Sequence, residues 1–193
     1  MAKLIYLTNV SLDSYIEDQD GTLDWSDPSD EYFAFITDLV RPVGTYLYGR
    51  RLYESMAVWE TDPALAERSA LLADFAEVWQ GASKVVYSTS LPSVPTADTR
   101  IERHFDIDSV RALKASATSD MTIGGAALAG QAFDGGLVDE CHLLVHPVIL
   151  GGGKRAFAGR AHITLELLEE RRLDNGVAYL RYACGRPGAG PAG

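Results

Sequence analysis

The chain has 193 residues, 47% hydrophobic and 23% charged, which suits one globular domain with its own core and excludes a disordered, collagen-like or disulfide-built chain. Twenty-seven acidic against 17 basic residues give a formal charge of −10, so the sequence lacks the cationic footprint of a nucleic-acid binder or of a protein held on an anionic membrane. A small anionic ligand stays compatible, because a few local cations and backbone N–H groups suffice to hold a phosphate.

Lys3 to Leu12 is apolar and β-branched enough for a first strand, followed by turn chemistry at Asp18-Gln19-Asp20-Gly21. Asp27-Pro28 predicts a helix cap with proline at the first helical position; Phe33, Ile36 and Val40 recur behind it at helical spacing until Arg41-Pro42. Thr45 to Tyr48 reads as a short strand running into a helix that carries Leu52, Met56 and Trp59. Asp62-Pro63 opens a helix with Leu65, Leu72, Phe75 and Trp79 on its inner face, ended by Gly81. Lys84 to Ser88 and Arg100 to His104 read as strands, and Asp108 as the cap of a helix carrying Val110, Leu113 and Ala117. Met121 to Ile123 is a strand broken by Gly124-Gly125, and a short helix over 126–133 follows. A long apolar strand over 141–150 closes at Gly151-Gly152-Gly153. Asp174-Asn175-Gly176 between two β-like runs is a hairpin signal. The order predicts an α/β fold: a mostly parallel central sheet flanked by helices, with a C-terminal antiparallel hairpin. We expect one domain over 1–185 and a flexible tail over 186–193.

No segment has signal-peptide anatomy and no apolar run reaches about 18 residues, so the expected location is the cytoplasm. Cys141 and Cys184 stand outside any C-x-x-C pair and read as small core residues; no metal site is expected. Gly151-Gly152-Gly153-Lys154 is no phosphate-binding P-loop, since Val148 stands where its first glycine belongs and Arg155 replaces Ser/Thr. His142 and His146 lie in a strand context, where four residues span roughly 13 Å, too far to share one ion.

In open α/β sheets a ligand lies beyond the carboxyl ends of the strands. Three strand ends are chemically loaded. At Tyr48-Gly49-Arg50-Arg51 a glycine permits close backbone approach, a helix N-terminus offers N–H groups, and two arginines supply charge suited to a phosphate. The alternative is a pair of surface arginines at the unfavourable end of a helix dipole. Ile123-Gly124-Gly125-Ala126-Ala127 permits close approach of a diphosphate, or is a plain glycine turn. Ser88-Thr89-Ser90 offers three hydroxyls for a phosphate or ribose, or is an ordinary polar turn.

Together these pieces resemble the dihydrofolate reductase-like superfamily. Within it they resemble the branch that holds the reductase (C-terminal) domain of the bifunctional riboflavin-pathway deaminase-reductase, the RibD C-terminal domain family. The matching segments are Val10-Ser11-Leu12-Asp13-Ser14-Tyr15-Ile16, Gly21-Thr22-Leu23-Asp24-Trp25 and Gly49-Arg50-Arg51-Leu52-Tyr53-Glu54-Ser55. Thr122-Ile123-Gly124-Gly125-Ala126, Gly136-Leu137-Val138-Asp139-Glu140 and Pro147-Val148-Ile149-Leu150-Gly151-Gly152-Gly153 follow in the family's order. The sequence departs from the pattern at Ser14, where the family has glycine, at Glu17, where it has a small residue, and at Thr89, where a basic residue is common. The Cys/His zinc signature of the deaminase half does not occur.

The resemblance implies a reductase that binds NADPH, with NADH as the alternative. It would transfer hydride to a C=N or C=O bond of a pterin-like or ribosylaminopyrimidine-like small molecule. It places the cofactor diphosphate at Gly49, Arg50 and Arg51 and at Ile123, Gly124, Gly125, Ala126 and Ala127; in the family the glycine pair often carries a cis peptide. It places Ser88, Thr89 and Ser90 at the adenosine phosphate, Asn9 and Val10 at the nicotinamide, Ile16 and Gly21 in a covering loop, and Asp13, Trp25 and Tyr53 on the substrate side. Folate-reducing relatives carry an acid five residues after the loop tryptophan, which here is Asp30, with Glu31 as its competitor. Either would be a proton donor if an apolar pocket raised its pKa, or a favourable acid in the first turn of a helix. Two other readings share the scaffold: a non-catalytic nucleotide-binding or regulatory protein, and a reductase using flavin or deazaflavin. A homodimer is expected, because the apolar segment 141–150 and the terminal hairpin need cover.

Overall fold

A computed structural model describes residues 2–26 and 28–186; Asp27, read above as a helix cap, and the tail from 187 onward lie outside the described residues. The elements in chain order are β1 (Leu4–Ser11), β2 (Tyr15–Glu17), α1 (Asp30–Val40), β3 (Val43–Gly49), α2 (Arg50–Met56), α3 (Val58–Thr61), α4 (Pro63–Ala66), α5 (Ala70–Gln80) and β4 (Ser83–Tyr87). They continue with β5 (Thr99–Glu102), α6 (Ile107–Ser116), β6 (Asp120–Gly124), α7 (Ala126–Asp134), β7 (Glu140–His146), β8 (Lys154–Arg155), β9 (Leu165–Arg172) and β10 (Ala178–Cys184). Among the described residues eight strands form one sheet, ordered β5-β4-β3-β6-β1-β7-β10-β9. It is parallel from β5 to β7 and antiparallel at β10 and β9, the expected mostly parallel sheet with a terminal hairpin.

The inner strands are covered on both faces, which is why their sequences run apolar rather than alternate. On one face Leu4, Tyr6, Leu47, Val85 and Ile123 pack with Val110 of α6 and Leu128 and Phe133 of α7. On the other, Tyr46, Tyr48 and Val86 pack with Val40 of α1 and Phe75 and Trp79 of α5. β6 is inserted between β1 and β3, so the chain's strand order reverses there, and the crevice such a reversal creates sits over the ends of these three strands.

Several local expectations are corrected. Ser29 caps α1, its Oγ accepting from the Tyr32 N–H at 3.2 Å. The helix read from Asp62-Pro63 is two: α4 is a single turn, and Ser69 then caps α5. Asp106 rather than Asp108 caps α6, because Asp106 has the extended backbone of a cap while Asp108 already lies in the first turn. β7 stops at His146, since Pro147 has no N–H for the ladder. β7 is also interior, between β1 and β10, so the edge on the hairpin side of the sheet is β9, where Leu165, Leu167 and Leu168 are exposed.

A small β2–β8 ribbon, not expected from the sequence, pairs Tyr15 with Arg155 and Glu17 with Lys154. It accounts for the glycine run before it: a Cβ on Gly153 would lie 2.0 Å from the Glu17 carbonyl oxygen. Asp13 anchors the same region, accepting from the Leu150 N–H at 3.0 Å and the Gly151 N–H at 2.7 Å. Ser14, where the family has glycine, holds φ 71°.

Candidate active site

β3 and β6 are parallel neighbours with Tyr48 opposite Gly124, so they end side by side. Both then turn straight into helices, α2 after Gly49 and α7 after Gly125. A Cβ on Gly125 would lie 3.8 Å from the backbone nitrogen of Gly49. Gly125 has φ 94°, a backbone that L side chains rarely adopt, and every peptide bond among the described residues is trans. Neither glycine carries a capping oxygen, so the first-turn N–H groups of α7 have no side-chain acceptor from the cap. Arg50 and Arg51 stand exposed at the head of α2. Arg50 Nε donates to Glu54 at 2.8 Å and its Nη1 donates to Ser90 Oγ at 3.0 Å, which ties the α2 bend to the turn after β4.

A cleft of about 1210 Å³ opens over these strand ends. Gly49, Arg50, Arg51, Ile123, Gly124, Gly125 and Ala127 line it along the seam between the two bends. Asn9 lines it from the end of β1, and Ile16 and Gly21 from the loop around β2. That loop is closed by Asp18, whose carboxylate accepts from the Thr22 N–H at 2.8 Å and the Thr22 hydroxyl at 2.7 Å.

The other residues singled out in the sequence lie elsewhere. Val10 and Ala126 are buried behind the cleft in a core cluster with Leu143 and Ala156. Ser88 Oγ accepts from the Leu91 N–H at 3.0 Å and so shapes its own turn; Thr89 and Ser90 are exposed on it. Arg103 braces the turn from below, donating to the Ser88 and Leu91 carbonyls at 3.0 and 2.7 Å. Tyr53 is buried, its hydroxyl paired with Thr96 at 2.8 Å. The Asp13 carboxyl is held below its usual range, first by the Leu150 N–H and then, against some desolvation, by Ser11 and Gly151. Glu31 binds the hairpin, accepting from Arg171 at 3.0 Å and from the Asp174 N–H at 2.8 Å. Asp30 is exposed in the first turn of α1, and neither acid lines the cleft.

One polar cluster at the cleft was not read from the sequence. The Tyr32 hydroxyl donates to Asn9 Oδ1, and His146 Nε2 lies 3.3 Å from the same oxygen. Trp25 packs edge-on to the His146 ring at 5.2 Å. Burial pushes Tyr32 up, against the Asn9 hydrogen bond, and pushes His146 down, so both are neutral near pH 7. With Oδ1 receiving both donors, the Asn9 amide is oriented and its Nδ2 hydrogens are left for a ligand. The available signal was position: Asn9 and His146 stand at the carboxyl ends of adjacent parallel strands, Asn9 opposite Leu144.

The profile of the family described as RibD C-terminal domain matches residues 2–179. YyaP, an uncharacterized protein of Bacillus subtilis (strain 168), is 29% identical over 183 residues, 90% of either chain. A solved structure from Shewanella sp. PV-4, of a protein assigned to riboflavin biosynthesis, aligns with TM-score 0.73 at 20% identity over 96% of this chain and 100% of that one. A pyrimidine reductase-like protein from Corynebacterium diphtheriae aligns with TM-score 0.63 at 14% identity over 96% and 92%. RibD of Acinetobacter baumannii aligns with TM-score 0.68 at 15% identity over 96% of this chain but 58% of its own. At these identities the structures speak for a shared fold.

Proposed function

The chain belongs to the RibD C-terminal domain family, and from that premise we propose a reductase, one domain over 1–185, that transfers hydride from NADPH to a C=N or C=O bond of a pterin-like or aminopyrimidine-like heterocycle. The observation that carries this reading is the meeting of the Gly49 and Gly125 bends, with 3.8 Å between a would-be Gly125 Cβ and the Gly49 nitrogen. A pyrophosphate fits such a seam: the uncapped start of α7 supplies N–H groups, Arg50 and Arg51 supply charge, and a Cβ on Gly49 would meet nothing within 4 Å.

Gly49, Arg50, Arg51, Gly125 and Ala127 are then the diphosphate contacts. The Ser88–Ser90 turn, joined to Arg50 through Ser90, faces the adenosine end. NADPH, or NADH in its place, supplies the hydride when bound. The chain's own task is to orient the acceptor and stabilise the charge that develops on it. Asn9 donates from Nδ2 to the substrate heteroatom, while Tyr32 and His146 hold its Oδ1. Ile16 and Gly21 cover the reacting end and exclude water. Asp30 is exposed on the first turn of α1 outside the cleft lining and Glu31 is committed to Arg171, so the proton is drawn from solvent at the cleft mouth.

The test is a titration with NADPH followed by nicotinamide fluorescence, then loss of reduced-nicotinamide absorbance with dihydropterin and ribosylaminopyrimidine substrates. Saturable binding and turnover of one class are expected. No binding at millimolar NADPH refutes the reading, and binding without turnover moves it to a non-catalytic nucleotide-binding protein.

A further inference from the structure

Cys141 and Cys184 meet across the two strands that join the terminal hairpin to the sheet. In the β7–β10 ladder Cys141 stands opposite Tyr182, so Cys184, two residues further on, lies diagonal to it on the same face. Their sulfurs are 3.4 Å apart, and both thiols are free. The backbone around them is fixed. β7 runs between β1 and β10, the Cys184 N–H donates to the Asp139 carbonyl at 2.8 Å, and the Gly185 N–H donates to the Thr164 carbonyl at 2.9 Å. Closing the gap to a bond of about 2.05 Å therefore falls to rotation about the two Cα–Cβ bonds.

The two thiols are not equivalent. Cys141 is fully buried, in the core cluster that holds Tyr6 and Ala129 and Ala132 of α7. Cys184 is half-buried at the end of β10, on the margin of that cluster. The hydrogen bond to Cys184, and then burial, raise the Cys141 pKa, so this thiol keeps its proton. The same hydrogen bond, received by the Cys184 sulfur, lowers the Cys184 pKa against burial and the carboxylates of Asp139 and Glu140. Those carboxylates are paired, Asp139 with Lys114 at 2.5 Å and Glu140 with Arg181 at 2.8 Å. The sulfur nearer to solvent is thus the nucleophile, with the second sulfur in contact behind it. Cysteines kept only for their volume need neither the contact nor an exposed member.

We propose that Cys141 and Cys184 form a reversible oxidation site, in which Cys184 reacts with a small peroxide, Cys141 resolves the product, and the disulfide staples the hairpin to β7. The Cys184 thiolate attacks one oxygen of hydrogen peroxide; the O–O bond breaks, hydroxide leaves and takes up a proton, and Cys184 becomes a sulfenic acid. The Cys141 sulfur then gives up its proton and attacks the Cys184 sulfur; the S–O bond breaks, water leaves, and the S–S bond forms. Two thiols lose two electrons and two protons, and one peroxide becomes two waters. Cys141 lies opposite Tyr6 near the start of β7, while the cleft is at the other end, by Asn9 and His146, so the bond acts on the hairpin. The inference does not rest on the reductase reading, and no nucleotide enters its test.

The whole protein, reduced and freed of reductant, is treated with hydrogen peroxide, unfolded in an alkylating reagent and weighed by mass spectrometry. The chain becomes lighter by two hydrogens, neither thiol is alkylated, the peptide map shows a Cys141–Cys184 cross-link, and dithiothreitol reverses all three. The cross-linked protein melts about 5–15 °C higher than the reduced one, because the bond joins residues 43 positions apart and restricts the unfolded chain. In Cys141→Ala the sulfenic acid persists at Cys184 and is trapped by dimedone; in Cys184→Ala the buried Cys141 stays a free thiol in the folded protein. Two alkylated thiols in the parent after peroxide, oxygen added without a cross-link, a bond between chains, or a melting temperature that falls on oxidation overturns the proposal. The parent measurement decides even where a variant fails to fold.

Discussion

Replacing Gly49 by alanine separates ligand binding from folding. Gly49 has φ −71° and ψ 157°, a backbone any residue adopts, and a Cβ there meets nothing within 4 Å. As a helix cap, alanine is worse than glycine by about 0.5–1 kcal/mol. The stiffer unfolded chain returns about 0.4–1 kcal/mol. The two effects cancel, and the melting temperature shifts by no more than about 2 °C. The methyl group enters the seam where the diphosphate is proposed to lie. Displacing one charge-assisted hydrogen bond there costs about 1.5–3 kcal/mol, which is a rise in NADPH Kd of about 10–100-fold. Gly125→Ala attacks the same seam but starts from φ 94°, so it also loses about 1–3 kcal/mol of stability. Nicotinamide fluorescence gives Kd, and thermal melts of the same samples give stability. A Gly49→Ala protein that melts like the parent and binds NADPH like the parent would show that the diphosphate does not lie between these bends.

Three further outcomes are expected. Tyr32→Phe removes the donor that orients Asn9, so kcat falls about tenfold with NADPH Kd unchanged; steady-state rates equal to the parent's refute the role. Burial raises the Glu140 pKa, but hydrogen bonds from Arg181 at 2.8 Å, His142 at 2.9 Å and Lys3 at 2.6 Å outweigh it and bring it to about 2. Stability from Glu140 is therefore complete above the ordinary carboxylate pKa of 4.5 and is lost as pH falls toward 2, about 3 kcal/mol in all. His142, lowered by burial despite Glu140, adds a loss that begins as pH drops below 6.5. Urea melts across this range should show both losses, and Glu140→Gln should flatten the lower one; a parallel curve refutes the assignment. Finally, β9 presents an uncovered edge with Leu165, Leu167 and Leu168 exposed, and we propose a homodimer along it. Sedimentation at micromolar concentration should give twice 20.9 kDa, and Leu167→Lys should give the monomer mass; a parent mass of 20.9 kDa ends the proposal.

Local chemistry made the fold readable. Asn175-Gly176 marks a hairpin because few other pairs fit its turn, and the runs over Leu4–Ser11 and Val43–Gly49 are apolar because both faces of these strands are covered. Caps were less legible: Asp106 and Asp108 are the same residue type two positions apart, and only the backbone at Asp106 decides between them. What the sequence could not show was which distant side chains meet. Periodicity reports the buried face of an element, not its neighbour across the sheet. Asn9 and His146 are 137 residues apart, and nothing local to either announces the other. The glycine run at 151–153 was legible as unusual, but its reason is the carbonyl of Glu17 on a ribbon formed by distant residues. Asp13, Tyr53 and Glu31 have polar groups suited to a ligand, and each has given them to a protein partner.

In the proposed reductase the reacting end is built from neutral groups, and the charges of the cleft give the reason. The proposed dinucleotide would bring several negative charges into a cleft already lined by Glu17, Asp20 and Glu54. An ionised acid placed at the hydride acceptor would add repulsion in a partly desolvated space, where such terms are least screened. A cationic group there would compete with the seam for phosphate. Asn9, held by a phenol and an imidazole that burial keeps uncharged, escapes both costs and presents a fixed dipole to the charge that appears only during reaction. Proton supply is then left to solvent, because Asp30 stands outside the cleft and Glu31 is held by Arg171, so that orientation and proton delivery are separated.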